Sequence, residues 1–117
     1  MSRFKRGGRK DDNHDELVSA LEKMGVGVVD TSEKGGGFPD LICAVRHETL
    51  LVEIKNRKTG YGRKGLNKNQ KKFAESWTGG PVYVIESVDD CVLLANFELD
   101  TLYAYGGLNQ VNVTNVS

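Results

Sequence analysis

Two stretches decide how this chain folds: Gly36-Gly37-Phe38-Pro39-Asp40-Leu41-Ile42 and Leu50-Leu51-Val52-Glu53-Ile54-Lys55-Asn56-Arg57. Each contains an apolar run of the kind that forms a buried strand, and each is interrupted by charge. Taking a charge out of water is costly unless something pairs it. Residues i and i+2 of a strand share a face, so Glu53 and Lys55 project together while Val52 and Ile54 point the other way. Leu41–Val45 and Leu50–Ile54 are separated by Arg46-His47-Glu48-Thr49, which predicts a hairpin with a four-residue loop. Asp40 heads the first strand, and the hairpin would bring its side chain near Glu53 or Lys55. Pro39 fixes its own φ and holds Phe38 extended, which sets the direction in which Asp40 points.

Working outward, Asp11, Asp12 and Asn13 offer capping side chains for a helix over about 13–24, with Leu17, Val18, Leu21 and Met24 as its apolar stripe. Gly25 stops it, and Gly27–Asp30 reads as a short strand followed by polar, glycine-rich TSEKGGG. Residues 56–65 read as a basic, glycine-rich loop. Asn67 caps a second helix running to about Trp77, with Phe73, Ala74 and Trp77 facing the core, and Gly79-Gly80-Pro81 ends it. Val82–Ile85 is strongly β-prone. The following CVLLANF fits either a short helix or a strand. The order α-β-β-β-α-β predicts an α/β fold, a sheet with helices packed against it. We expect a basic arm over 1–10, one domain over 11–105, and a polar tail over 106–117.

The chain has 117 residues, enough for one core, and no apolar stretch approaches the roughly 20 residues that span a bilayer. The start, MSRFKRGGRK, has no apolar segment of the secretory kind, which predicts an intracellular protein with Cys43 and Cys91 as buried thiols. The formal net charge is zero, yet the charges are segregated. Residues 1–10 and 55–72 hold thirteen of the sixteen Lys and Arg residues and none of the sixteen acids. Such blocks predict a basic face for a polyanion.

Two carboxylates and an ammonium converging at one sheet end define a chemistry. Hard oxygen ligands suit Mg²⁺ or Mn²⁺ better than zinc. A metal held this way polarises a phosphodiester and lowers the pKa of an attacking water, and a lysine beside it orients that water or stabilises the developing charge. An acid-x-lysine pair alone marks little more than a half-exposed strand. The Pro-Asp thirteen residues upstream shifts the balance toward a site, and the glycine-rich approach from Lys34 to Gly37 fits either backbone nearing a phosphate chain or a plain surface turn.

That combination resembles the PD-(D/E)XK nuclease signature. HDELVSALEKMG before it, GGGFPDLI around the first acid, and LNKNQKKFAESW after the lysine resemble the virus-type replication-repair (VRR-NUC) branch and the archaeal Holliday-junction resolvases. The likeness covers about residues 11–90. It implies a restriction-endonuclease-like core and a Mg²⁺- or Mn²⁺-dependent DNA endonuclease without organic cofactor. Asp40 and Glu53 would be metal ligands, the Ile54 carbonyl would complete the shell, Lys55 would be the catalytic lysine, and Gln70 would lie near the site. These families usually carry an acid on the first helix. A gapless match to the resolvases sets His14 there, while the looser VRR-NUC pattern admits Glu16, the preferred candidate, or Asp15.

Lys34, Arg57, Lys58, Arg63, Lys64, Lys68 and Lys71 would then neutralise DNA phosphates, giving affinity without sequence readout. The expected partner is duplex or branched DNA. A homodimer is a further expectation, because so small a chain offers little surface for a junction, and the compact chain fits a phage-type protein. The alternative is a non-catalytic DNA-binding module that keeps the fold and uses only its basic face.

Overall fold

The two charge-interrupted runs form the predicted hairpin, at the heart of a five-stranded mixed sheet. The computed structural model describes residues 12–56 and 66–107. Its elements are α1 (His14–Lys23), β1 (Gly27–Asp30), a 3₁₀ turn (Ser32–Lys34), β2 (Leu41–Val45), β3 (Glu48–Ile54), α2 (Lys68–Ser76), β4 (Val82–Ile85), α3 (Val88–Ala95), a second 3₁₀ turn (Leu99–Thr101) and β5 (Tyr103–Tyr105). The strands lie side by side in chain order, and every pairing is antiparallel except β3 with β4. Parallel neighbours cannot be joined by a tight turn, so the chain leaves the sheet between them, and α2 lies on that crossover.

Alternation along the strands gives the sheet two buried faces. On one, Leu41, Cys43, Val45, Leu50, Val52, Ile54 and Ile85 pack with Leu17 and Leu21 of α1 and with Cys91 and Leu94 of α3. On the other, Val82, Val84, Tyr105 and Leu51 pack with Phe73 and Ala74 of α2. Among the described residues no helix is long and apolar enough to cross a membrane.

The structure corrects the sequence reading in several places. The hairpin loop has two residues rather than four, because Arg46 (φ 53°) and His47 (φ 70°) both adopt left-handed backbone and Val45 pairs directly with Glu48. This conformation matches the twist of the flanking strands, and the Arg46 guanidinium lies 5.8 Å from the centre of the Phe97 ring. CVLLANF resolves as helix: Ser87 accepts a hydrogen bond from the Asp90 amide, and Cys91 and Leu94 turn inward. The predicted order stops one strand short, since β5 adds to the sheet edge beyond β4. Trp77 is not core. It is 38% exposed and stacks on half-buried Phe73 at 5.3 Å, because the backbone turns extended there and carries the indole off the buried side of the helix. The arm over 1–10 and the tail beyond Gly107 lie outside the described residues.

Candidate functional site

β3 delivers Glu53 to the α2 side of the sheet, with Lys55 just past the strand end. Both are 6% exposed. These charges are therefore buried, and their polar company comes from α2. Gln70, itself 5% exposed, donates from Nε2 to Glu53 Oε2 at 2.7 Å and accepts at Oε1 from Lys55 Nζ at 3.2 Å. One amide thus bridges the acid and the base. Its orientation comes from the start of the helix, where the Asn67 amide donates to the same Oε1 at 3.1 Å and the Gln70 amide donates to Asn67 Oδ1 at 2.8 Å. With Oε1 serving two donors, Nε2 is left to face Glu53.

Asp40 reaches the same strand from β2. Its Oδ2 accepts from the Ile54 amide at 2.9 Å. Two bonds from Thr31 pin the backbone on the far side, the amide to Asp40 O at 2.7 Å and Oγ1 to Pro39 O at 2.8 Å. The proline has a further effect. Continuing the register past Leu41↔Val52 sets Pro39 opposite Ile54. With no N–H, Pro39 offers no ladder donor to the Ile54 carbonyl. The Pro-Asp pair therefore takes the Ile54 amide with a side chain and leaves the carbonyl without its ladder partner.

Tyr105 of β5 is buried on the same side of the sheet, with Val82 and Val84. Its register, Tyr105↔Val82↔Leu51, sets it on the sheet face that carries Glu53, and burial, then the charges of Glu53 and Asp40, push its phenol well above the ordinary tyrosine range. Sequence reading missed this residue, because YAY near the end of the chain carries no signal beyond β-propensity.

The first helix behaves differently from expectation. Asn13 does not cap it with its side chain; its Nδ2 donates to Lys55 O at 3.2 Å and Glu86 O at 3.0 Å, tying the start of α1 to the ends of β3 and β4. His14 is 1% exposed, with Nε2 2.9 Å from Asp30 Oδ2. Asp30 pairs with Leu41, so its side chain leaves the sheet on the α1 side, away from Glu53. Burial opposes the Asp30 charge, but hydrogen bonds from Ser32 and His14 outweigh it and hold the carboxyl below its usual range. Glu16 and Asp15 are exposed. The charge of Glu16 is felt by Cys91 of α3, and no hydrogen bond or ion pair joins Glu16 to Asp40, Glu53 or Lys55 among the described residues.

The structure thus brings together Asp40, Glu53, Lys55 and Gln70 and leaves Glu16 outside. Lys34, Lys68 and Lys71 are exposed, with Lys34 Nζ 5.7 Å from the centre of the Phe38 ring. Arg57, Lys58, Arg63 and Lys64 lie outside the described residues. No protein-family model, curated protein or solved structure matches this chain. Among the described residues no group of three or more His, Cys, Asp or Glu side chains forms a metal cage. The donor set is instead a carboxylate pair beside a carbonyl that lacks its ladder partner. Oxygen donors of this kind fit a hard divalent cation that keeps much of its water, and do not fit zinc.

Proposed function

We propose that this protein is a metal-dependent deoxyribonuclease with a restriction-endonuclease-like core of the PD-(D/E)XK kind, cleaving phosphodiester bonds in duplex or branched DNA. The observation that carries the reading is the buried Glu53–Gln70–Lys55 bridge beside Asp40, on one face of the sheet at the end of β3. An ammonium and a carboxylate held this far from water are expensive to keep for stability alone, since apolar side chains of similar size would serve as well or better.

In this reading Asp40, Glu53 and the Ile54 carbonyl hold Mg²⁺ or Mn²⁺. When bound, the cation would polarise the scissile phosphate and acidify an attacking water. Lys55, fixed by Gln70, orients that water and offsets charge building on the phosphate. Lys34, Lys68 and Lys71 contribute non-specific phosphate affinity. Likeness to the VRR-NUC family and the Holliday-junction resolvases supports a structure-selective substrate and an intracellular, phage-type setting.

The test is a panel of linear duplex, flap, splayed-arm and four-way-junction DNA with Mg²⁺. Asp40→Ala and Lys55→Ala should each lower cleavage by at least ~100-fold, the scale on which charge-stabilising groups act. Cleavage surviving both substitutions overturns the site. Binding without cleavage favours the non-catalytic DNA-binding module, a reading that gains from the exposed position of Glu16 away from the acid pair.

A further inference from the structure

Tyr103 and Tyr105 share one face of β5 yet differ sharply in exposure, 66% against 3%. Tyr103 stands in solvent at the sheet edge. Tyr105 is folded in with Val82 and Val84 under Phe73 and Ala74 of α2. The glycines that follow hold the chain there: a Cβ on Gly106 would lie 3.5 Å from Ala74 Cβ, and one on Gly107 only 3.0 Å from Pro81 N.

The Tyr105 hydroxyl is fully buried and has no hydrogen-bond partner among the described residues. Asn13 Oδ1 and His14 Nδ1 share that condition, but each belongs to a side chain whose other polar atom is bonded. Tyr105 has a single polar atom, and among the described residues nothing bonds it. A phenylalanine would fill the same space without stranding a donor, so a buried hydroxyl of this kind calls for a use. The register Glu53↔Val84↔Tyr103 and Leu51↔Val82↔Tyr105 sets Tyr105 on the same sheet face as Glu53, two residues along, and the charges of Glu53 and Asp40 act on its phenol.

We propose that Tyr105 is a positioning residue for Glu53, its hydroxyl being the donor that the Glu53 carboxylate takes up when it turns to hold a cation. The inference rests on the nuclease reading. Gln70 Nε2 holds Glu53 in the state described here. A carboxylate that turns toward a metal needs a second donor behind it to fix its direction, and hydrogen-bonded carboxylates make better-oriented ligands than bare ones. A tyrosine phenol carries its proton at neutral pH, so its hydroxyl is available as a donor.

The variant is Tyr105→Phe, which keeps the ring and removes only the oxygen. Three measurements are made on the full chain: thermal stability without metal, Mn²⁺ affinity by calorimetry without DNA, and the rise in Tm that Mn²⁺ produces. Asp40→Asn is the control for metal binding. The metal-free Tm of Tyr105→Phe should be unchanged or higher, Mn²⁺ binding should weaken about tenfold, and the Mn²⁺-induced rise in Tm should shrink to match, because a ligand stabilises only as far as it binds. Wild-type Mn²⁺ affinity in Tyr105→Phe, with none in Asp40→Asn, overturns the role of Tyr105 and leaves the nuclease reading standing. A lowered metal-free Tm with unchanged affinity also overturns it, since that marks a packing role. Absence of Mn²⁺ binding in the wild type removes the nuclease reading, and this inference with it.

Discussion

Asn67 and Gln70 cap the start of α2 reciprocally, each side chain accepting from the other's backbone amide, at 2.8 Å and 3.1 Å. The same contact that begins the helix also turns the Gln70 amide toward Glu53 and Lys55. Local helix chemistry and site geometry are one arrangement.

Asn67→Ala should therefore do two things at once. Loss of the cap costs about 1 kcal/mol of stability, read by denaturant unfolding. With the cap gone α2 no longer starts in register, and DNA cleavage should fall because Gln70 loses the contact that orients its amide. Cleavage at the wild-type rate in a variant that has lost the expected stability would separate the cap from the site.

Gly36 and Gly37 make a matched pair. Both have left-handed backbone, φ 67° and 88°, but a Cβ on Gly36 meets nothing within 4 Å whereas one on Gly37 would stand 2.2 Å from Asn69 O. Gly36→Ala should cost roughly 1 kcal/mol, the backbone penalty alone. Gly37→Ala should cost at least about 2–3 kcal/mol more, because the loop leading to Asp40 must separate from the first turn of α2. Equal unfolding midpoints for the two variants would refute this.

The depressed Asp30 carboxyl gives a pH dependence of definite sign. A carboxyl whose folded pKa lies below its ordinary 3.8 contributes stability above that value and loses it as pH falls through the folded one. Wild type should exceed Asp30→Asn in stability above pH 3.8, with the gap closing in stronger acid. The Asp30 side chain is 40% exposed, so solvent screening keeps the gap below about 1 kcal/mol. A gap that widens on acidification would contradict the assignment.

Cys43 and Cys91 should resist thiol reagents in the folded protein. Burial pushes them to about 12 and about 11 respectively, and Cys91 Sγ also donates to Leu17 O at 3.8 Å. The thiolate is the reactive form, so labelling at pH 8 should follow unfolding and accelerate in denaturant. Fast labelling of either cysteine under native conditions would contradict the packing of α1 and α3 on the sheet.

The hairpin and the alternation of Val52, Glu53, Ile54 and Lys55 were legible because strand geometry acts between near neighbours. So was the capping of α2 by Asn67. Other features depend on contacts that the sequence does not announce. Arg46-His47 is not a turn sequence by type, and the tight hairpin shows only once Phe97 lies near Arg46. His14 points to a metal site or to nothing until Asp30, sixteen residues away, is seen beside it. Tyr105 reaches the Glu53 face of the sheet through a strand too short to recognise, and Glu16 is drawn in by family pattern although the helix carries it outward.

Of the residues in α2 only Gln70 is buried, while Phe73 and Ala74 are half-buried, so the helix brings little apolar surface to the sheet face that holds Glu53 and Lys55. α1 and α3 insert leucines where α2 inserts an amide. Local opening begins where apolar burial is thin, and here the docking step also removes two charges from water. When α2 lifts, Glu53 and Lys55 regain their hydration together. Assembly order follows: the β1–β3 meander can form with both charges still wet, and the site is dried last. Hydrogen exchange would then find the amides of α2 giving way before those of β2 and β3, so that the chemistry-bearing corner forms after the hairpin beneath it and is lost before it.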